Sequence, residues 1–423
     1  MTGSVEAARI EAVLSAAARA GVFEEEPPFA IFYDLDGFRA RLRAARDAFP
    51  ASTLHALAVK ANPVGPMLQA ARDMGFAAEC ASIVEVLHAH DSGFSPERIV
   101  FDSPAKTTRE IRFALDAGVY LNVDNFQELG RCASHLEQHP SRSIVGLRIN
   151  PSVGAGTIAA LSTAIPTSKF GVTLDEHRDR ILDAFRSLPW LRALHVHVGS
   201  QGCPIELAAA GVRRVALLAD EIEAATGRRI EILDIGGGLP VSFDESTTAP
   251  TFEEYARALR AAIPEIFDGR FRLVTEFGRA MSANVGWVAS RVEYTKIAGG
   301  RRIAVIHAGA DLFTRTAYLP EVWRHHVTVH DPEGALKSGA AEPWDIAGPL
   351  CFSGDLVARE RPLPPIEPGD LIVVHDAGAY TLSMWSRYNS RRASAVHGYE
   401  GEPPVLQLLK KAESEQDVLR FWA

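Results

Sequence analysis

Between residues 54 and 278, short apolar, β-branched runs alternate with longer segments whose apolar positions recur at helical spacing. The runs are LHALAVKA (54–61), FAAEC (76–80), RIVFDS (98–103), VYLNVD (119–124), IVGLRIN (144–150), ALHVHVGS (193–200), IEILDIGGG (230–238) and RLVTEFG (272–278). Most intervals hold an Ala-, Leu- and Arg-rich helical stretch, such as ELAAAGVRRVALLADEIEAATG (206–227). Such alternation predicts parallel strands joined by crossovers. Eight units over about 230 residues have the number and size of an α/β (β/α)8 TIM barrel. An open doubly wound sheet is the competing arrangement, but no GxGxxG turn follows an early strand.

Beyond residue 285 the pattern changes. WVASRVEYTKIAGGRRIAVIHAG (287–309) and GDLIVVHDAG (369–378) read as strands separated by turns, and proline is dense in RPLPPIEP (361–368). This predicts a smaller domain built on an antiparallel sheet or β-barrel. The opening stretch, MTGSVEAARIEAVLSAAARAG, reads as an amphipathic helix; Glu6 and Glu11 interrupt it and argue against a signal peptide. The expected organisation is a barrel over residues 30–285, with residues 1–29 and 286–423 in the β-rich domain.

Composition narrows the class. A chain of 423 residues exceeds the usual single core, and 47% hydrophobic with 23% charged residues is ordinary for a globular protein. A net charge of −9 argues against a nucleic-acid or membrane-surface partner. No apolar run approaches the roughly 18 residues that would span a bilayer. Cys80, Cys132, Cys203 and Cys351 form no CxxC pair, which fits a reducing cytoplasm better than a disulfide framework or a zinc site. His325 and His326 lack a third ligand at metal spacing, so no metal is expected.

In a barrel of this kind the chemistry gathers where strands end. Those ends supply Lys60, Glu79, His197, Ser200, Gly236, Gly237, Gly238, Glu276 and Arg279. Each has a plain structural use. Lys60 could be a solvated terminus, His197 a core residue, the glycines a tight turn, and Glu276 a partner for Arg279. Together they offer an amine nucleophile, a flat ring, a phosphate cradle and a carboxylate for a heteroaromatic nitrogen. Those are the contacts pyridoxal phosphate requires.

The motifs AVKAN, ECAS, HVHVGSQ, DIGGGLP, EFGR, GPLCFSGD and DAGAYTLSMWSRYNSR follow one another along the chain. In these the chain resembles the barrel-type (fold type III) pyridoxal-phosphate decarboxylases, a group that includes diaminopimelate, ornithine and arginine decarboxylases, and most resembles the diaminopimelate branch. The resemblance implies that Lys60 carries the cofactor and His197 stacks on its ring. Glu276 pairs with the ring nitrogen, Glu79 lies near the ring, and Ser200, Gly237, Gly278 and Arg279 surround the phosphate. It also implies that Cys351 and Tyr380 reach the barrel of a partner subunit in a homodimer. Cys351 would then supply the proton that replaces the departing carboxylate.

Some positions depart from that pattern. Phe352 stands where diaminopimelate decarboxylases carry the glutamate that grips the substrate's distal ammonium. Phe277 replaces a usual proline, and Trp385 adds bulk. Arg315 and Tyr318 retain an arginine–tyrosine pair suited to a distal carboxylate, at a spacing one residue shorter than expected. The sequence therefore predicts an amino-acid decarboxylase whose substrate differs from meso-diaminopimelate. A true diaminopimelate decarboxylase of lysine biosynthesis is the first alternative. An amino-acid racemase and a non-catalytic regulatory homologue rank below it; the racemase lacks support from GPLC and HVGSQ, the regulatory homologue from the retained lysine and glycines.

Overall fold

The structure is a computed structural model and describes residues 5–243 and 248–423. The chain divides into two units. One contains residues 41–240 and 249–280; the other contains the described residues of 1–40 and 241–248, together with 281–423.

The first unit is the expected barrel. Its strands are Leu54–Ala58, Ala77–Cys80, Ile99–Asp102, Tyr120–Val123, Val145–Asn150, Leu191–His195, Ile232–Asp234 and Arg272–Thr275. Each pairs in parallel with the next, and the last returns to the first, closing the ring. The crossover helices are set by local chemistry. Thr107 and Thr251 each form a capping box with the glutamate three residues on, which starts Thr108–Ala117 and Phe252–Ala262.

Alternation along the strands divides the barrel interior into layers. Leu54, Ala56, Ala77, Val100, Tyr120, Ala193, Ile232 and Val274 pack together as an apolar plug. Two residues further along six of the strands, on the same face, come Glu79, Asp102, Asn122, His195, Asp234 and Glu276, joined by Arg148 opposite His195, all buried. The barrel is thus apolar below and ionisable at the end where its strands finish.

The second unit is a nine-stranded, mostly antiparallel sheet. Two pairings are parallel: Phe29–Asp34 with Ala395–Glu400, and Arg301–Ile306 with Glu342–Ala347. The expected boundary at residue 30 needs correction, because Phe29–Asp34 lies between Gly286–Ala298 and Ala395–Glu400 in this sheet. Its six residues are all buried. Helix Ala7–Arg19 packs Ile10, Val13, Leu14 and Ala17 into the same core, as its amphipathic spacing predicts. No helix among the described residues is long and apolar enough to cross a membrane.

Trp287 anchors this unit. Its ring stacks on Phe32 at 4.3 Å and its indole N–H donates to the Tyr399 hydroxyl at 3.1 Å. Trp287→Ala is expected to destabilise the unit by about 3–5 kcal/mol, seen as a lower denaturant midpoint. A loss below about 1 kcal/mol would place the core elsewhere.

Candidate active site

The barrel's ionisable layer is built around Glu79, Asp102, Asp234 and Glu276, with Lys60, Arg148 and His195 among them. Lys60 lies in the turn Val59–Ala61 after the first strand, and its ammonium pairs with Glu79. Burial raises the Glu79 pKa, with Lys60 opposing. Arg148 donates to Asp102 at 2.7 Å, and Asn122 donates to Asp234 at 3.0 Å. Burial works against the Asp102 anion, but Arg148 and His195 hold its pKa below the usual range. Burial and Glu276 together push Asp234 well above it.

His197 follows the sixth barrel strand. Its Nδ1 accepts the Gly237 N–H at 3.1 Å. Burial, then the positive charge of Arg148, lowers its pKa to about 3, so the ring is neutral. The three glycines are required by space. A Cβ on Gly236 would meet His197 Nδ1 and the Val196 carbonyl at 2.7 Å, and one on Gly237 or Gly238 would strike the carbonyl of Glu276 or Gly199. Gly236 and Gly238 also take φ of +65° and +99°. The Gly236 carbonyl accepts the Glu276 N–H at 2.8 Å, tying the glycine turn to the eighth strand end. Gly278 lies against Ala58 and Ala61, which flank Lys60; a Cβ there would meet their methyls at 2.9 and 2.7 Å. Ser200 follows Gly199, whose carbonyl approaches Gly238, and Arg279 is buried directly after Gly278. The barrel residues singled out by sequence thus gather at one end of the barrel.

Asp102, Arg148, His195 and Asp234 were missed because each looks like an ordinary strand terminus. The signal that could have found them is the repeated pattern of an apolar residue followed two places later by a polar one, as in Val100/Asp102 and Ala193/His195.

The remaining predicted residues belong to the second unit, and they group there. Arg315, in the short helix Thr314–Tyr318, has its guanidinium carbon 4.9 Å from the Trp323 ring centre and 4.6 Å from that of Tyr380. Its Nη1 is buried without a hydrogen-bond partner among the described residues. Burial lowers its pKa, and no carboxylate counters that effect. Tyr318 and Phe352 stack with centroids 5.6 Å apart. The Phe352 ring lies over Gly354, where a Cβ would meet it at 2.5 Å. Asp355 shapes this loop, accepting the N–H groups of Leu350 and Ala310 at 2.6 Å. Cys351 is exposed, with its backbone N–H on Asn389 Oδ1 at 2.9 Å. Phe277, by contrast, packs among Phe49, Phe252 and Tyr255 beneath the barrel's helices. It is core, and its departure from proline carries no information on the substrate.

Residues 35–283 match the family model described as pyridoxal-dependent decarboxylase, pyridoxal binding domain. Diaminopimelate decarboxylase of Helicobacter pylori is 30% identical over 393 residues, covering 92% of this chain and 94% of that protein. The enzyme of that name from Deinococcus radiodurans is 32% identical over 391 residues, at 92% and 94% coverage. Among solved structures, the Helicobacter pylori diaminopimelate decarboxylase complexed with L-lysine superposes with a TM-score of 0.84 at 27% identity, over 96% of this chain and 99% of that one.

The barrel residues fit pyridoxal phosphate on structural grounds. Glu276 Oε1 is buried and has no hydrogen-bond partner among the described residues, as expected of an oxygen reserved for a ring nitrogen. The glycine turn leaves room that any side chain would fill.

The neutral His197 gives a pH prediction. Its folded pKa of about 3 lies below the ordinary imidazole value of 6.5. Between those values the unfolded chain binds a proton that the folded chain does not, so stability falls as pH drops through the window. In the cofactor-free protein, His197→Asn should lose less stability than the wild type between about pH 6.5 and 5, a relative gain near 2 kcal/mol. Parallel losses in denaturant titrations would show that His197 is not held neutral.

Proposed function

The chain belongs to the pyridoxal-dependent decarboxylases, carboxy-lyases whose cofactor is pyridoxal 5'-phosphate, and from that premise we propose that it decarboxylates an amino acid bearing a distal carboxylate and no distal ammonium. The observation that carries this reading is the buried Arg315 Nη1, without a hydrogen-bond partner among the described residues, on the same short helix as Tyr318, whose ring stacks on Phe352. A guanidinium shielded in this way gains most from a bidentate carboxylate. An aromatic ring at Phe352 cannot accept an ammonium N–H, and burying that charge unpaired costs several kcal/mol.

When bound, pyridoxal phosphate supplies the electron sink that lets the α-carboxylate leave. The chain's residues prepare that event. Lys60 anchors the cofactor through Nζ, and Glu79 steers its amine. The neutral His197 would face the cofactor ring without adding a positive charge. Gly236, Gly237, Gly238, Ser200, Gly278 and Arg279 cradle the phosphate, with Arg279 also near the substrate. Glu276 keeps a proton on the ring nitrogen. Cys351 delivers a proton to the α-carbon vacated by CO2, a transfer worth roughly 10²–10⁴-fold in rate. Arg315 and Tyr318 take the substrate's far carboxylate, Phe352 lines the adjacent wall, and Tyr380 completes the cofactor site. We assign Cys351 and Tyr380 to the site of a partner copy in a homodimer, as the family resemblance implies, and with them Phe352, Arg315 and Tyr318, which group with them in the second unit. The four free cysteines support a cytoplasmic setting.

Release of CO2 from a 2-aminodicarboxylate such as 2-aminopimelate should exceed that from meso-diaminopimelate by at least about tenfold, the equivalent of one lost charge contact. Phe352→Glu should narrow or reverse the ratio. Efficient turnover of meso-diaminopimelate by the unaltered chain would instead support the second reading, favoured by the names of the relatives, that it is a diaminopimelate decarboxylase. Shared sites make a further prediction: mixing inactive Lys60→Ala and Cys351→Ala chains should restore about a quarter of wild-type activity through mixed dimers. No restoration, with subunit exchange demonstrated, would place both groups in one chain's site.

A further inference from the structure

The chemistry above leaves the histidine of the barrel's ionisable layer without a task. His195 lies wholly inside the barrel's ionisable layer, with Nδ1 3.7 Å from Asp102 Oδ1 and Nε2 3.4 Å from Glu276 Oε2. Neither ring nitrogen makes an aligned hydrogen bond elsewhere. Arg148 and Asp234 flank it in strand register. Arg148 is committed to the other oxygen of Asp102, and the Lys60 ammonium is paired with Glu79.

We propose that His195 is a positioning residue: as an imidazolium it holds Glu276 in its anionic form and engages Oε2, leaving Oε1 turned toward the cofactor's ring nitrogen. The inference rests on the reading of Glu276 as that nitrogen's partner. Its first support is geometric. Both imidazole nitrogens face carboxylate oxygens, and only the protonated ring has two N–H groups to present. A neutral ring would turn a lone pair toward one of the two acids. The electrostatics agree. Burial alone would strip the proton, but Glu276, Asp102 and Asp234 raise the His195 pKa to about 9. Burial likewise opposes the Glu276 anion, and His195 is the largest influence holding its pKa down. The positive or titratable groups near this pair are Arg148, Lys60 and His197; Asp234 lies on the adjacent strand.

Donor atoms of Asp102, His195 and Glu276 also lie within 4.8 Å of one another. A divalent cation among them is therefore the competing occupant, and the experiment separates the two. Holoenzyme labelled with 15N-histidine should show both His195 ring nitrogens protonated from about pH 6 to pH 8. A neutral ring, or one whose signal changes when a chelator is added, would overturn the proposal. In a second arm, holoenzymes are loaded with pyridoxal phosphate labelled at the ring nitrogen. Both His195→Gln and Glu276→Gln should move that nitrogen's resonance toward the unprotonated form. The cofactor's 31P signal should stay in place, and kcat for His195→Gln should fall about 10²-fold. If Glu276→Gln moves the ring nitrogen and His195→Gln does not, the role of His195 fails alone. If neither moves it, the reading of Glu276 fails as well. Should His195→Gln not fold, the wild-type histidine spectrum still decides the question.

Discussion

Four carboxyl groups, Glu79, Asp102, Asp234 and Glu276, are buried within one end of the barrel, and the rest of the site depends on how that charge is balanced. Removing a carboxylate from water costs several kcal/mol unless a cation or a proton compensates. The barrel uses both means. Arg148 and His195 serve Asp102 and Glu276, Lys60 serves Glu79, and Asp234, whose pKa burial and Glu276 push well above the usual range, accepts the Asn122 amide N–H. The outcome is selective: Glu276 stays anionic with one oxygen unused, while the nearby His197 ring is neutral. A cofactor with a basic ring nitrogen and an anionic phosphate complements that division.

The second unit applies the same economy of polar groups to a different end. Asp355 gathers the backbone around Cys351 by accepting N–H groups from Leu350 and Ala310. Gly309 and Gly348 pack against its carboxylate, where neither could carry a side chain. The loop motif GPLCFSGD is thus explained by a carboxylate that organises backbone as much as by its thiol. Within this frame Arg315 holds a buried charged donor, Nη1, with no hydrogen-bond partner among the described residues, which is why it, and not the exposed Tyr318, carries the reading of substrate class.

Much of this was legible in the sequence. All eight barrel strands coincide with the apolar runs, since a strand buried on both faces needs a continuous apolar segment. Lys60, His197, the glycines and Glu276 stood out because they break such runs. The polar layer was harder to see, because Asp102, Arg148, His195 and Asp234 end their strands as any solvated terminus would. Their burial follows from barrel closure, a long-range property. Strand Phe29–Asp34 misled for a related reason: its apolar run suits either unit, and its pairing with residues more than 250 positions away decides between them. Phe277 looked like a change at the site, yet its neighbours are rings of the surrounding core.

The central claim is that Lys60, whose ammonium pairs with Glu79 in the ionisable layer, is the amine that carries the cofactor, while the buried Lys106 of the barrel is structurally committed. Lys106 lies 3.0 Å from Glu128 and donates to the Asn122 carbonyl at 2.8 Å. Borohydride reduction of the holoenzyme, followed by peptide mass mapping, tests this most directly. The account predicts the cofactor's mass on the peptide containing Lys60 and none on that containing Lys106. Label on Lys106, or no lysine labelled in a coloured and active preparation, would contradict it.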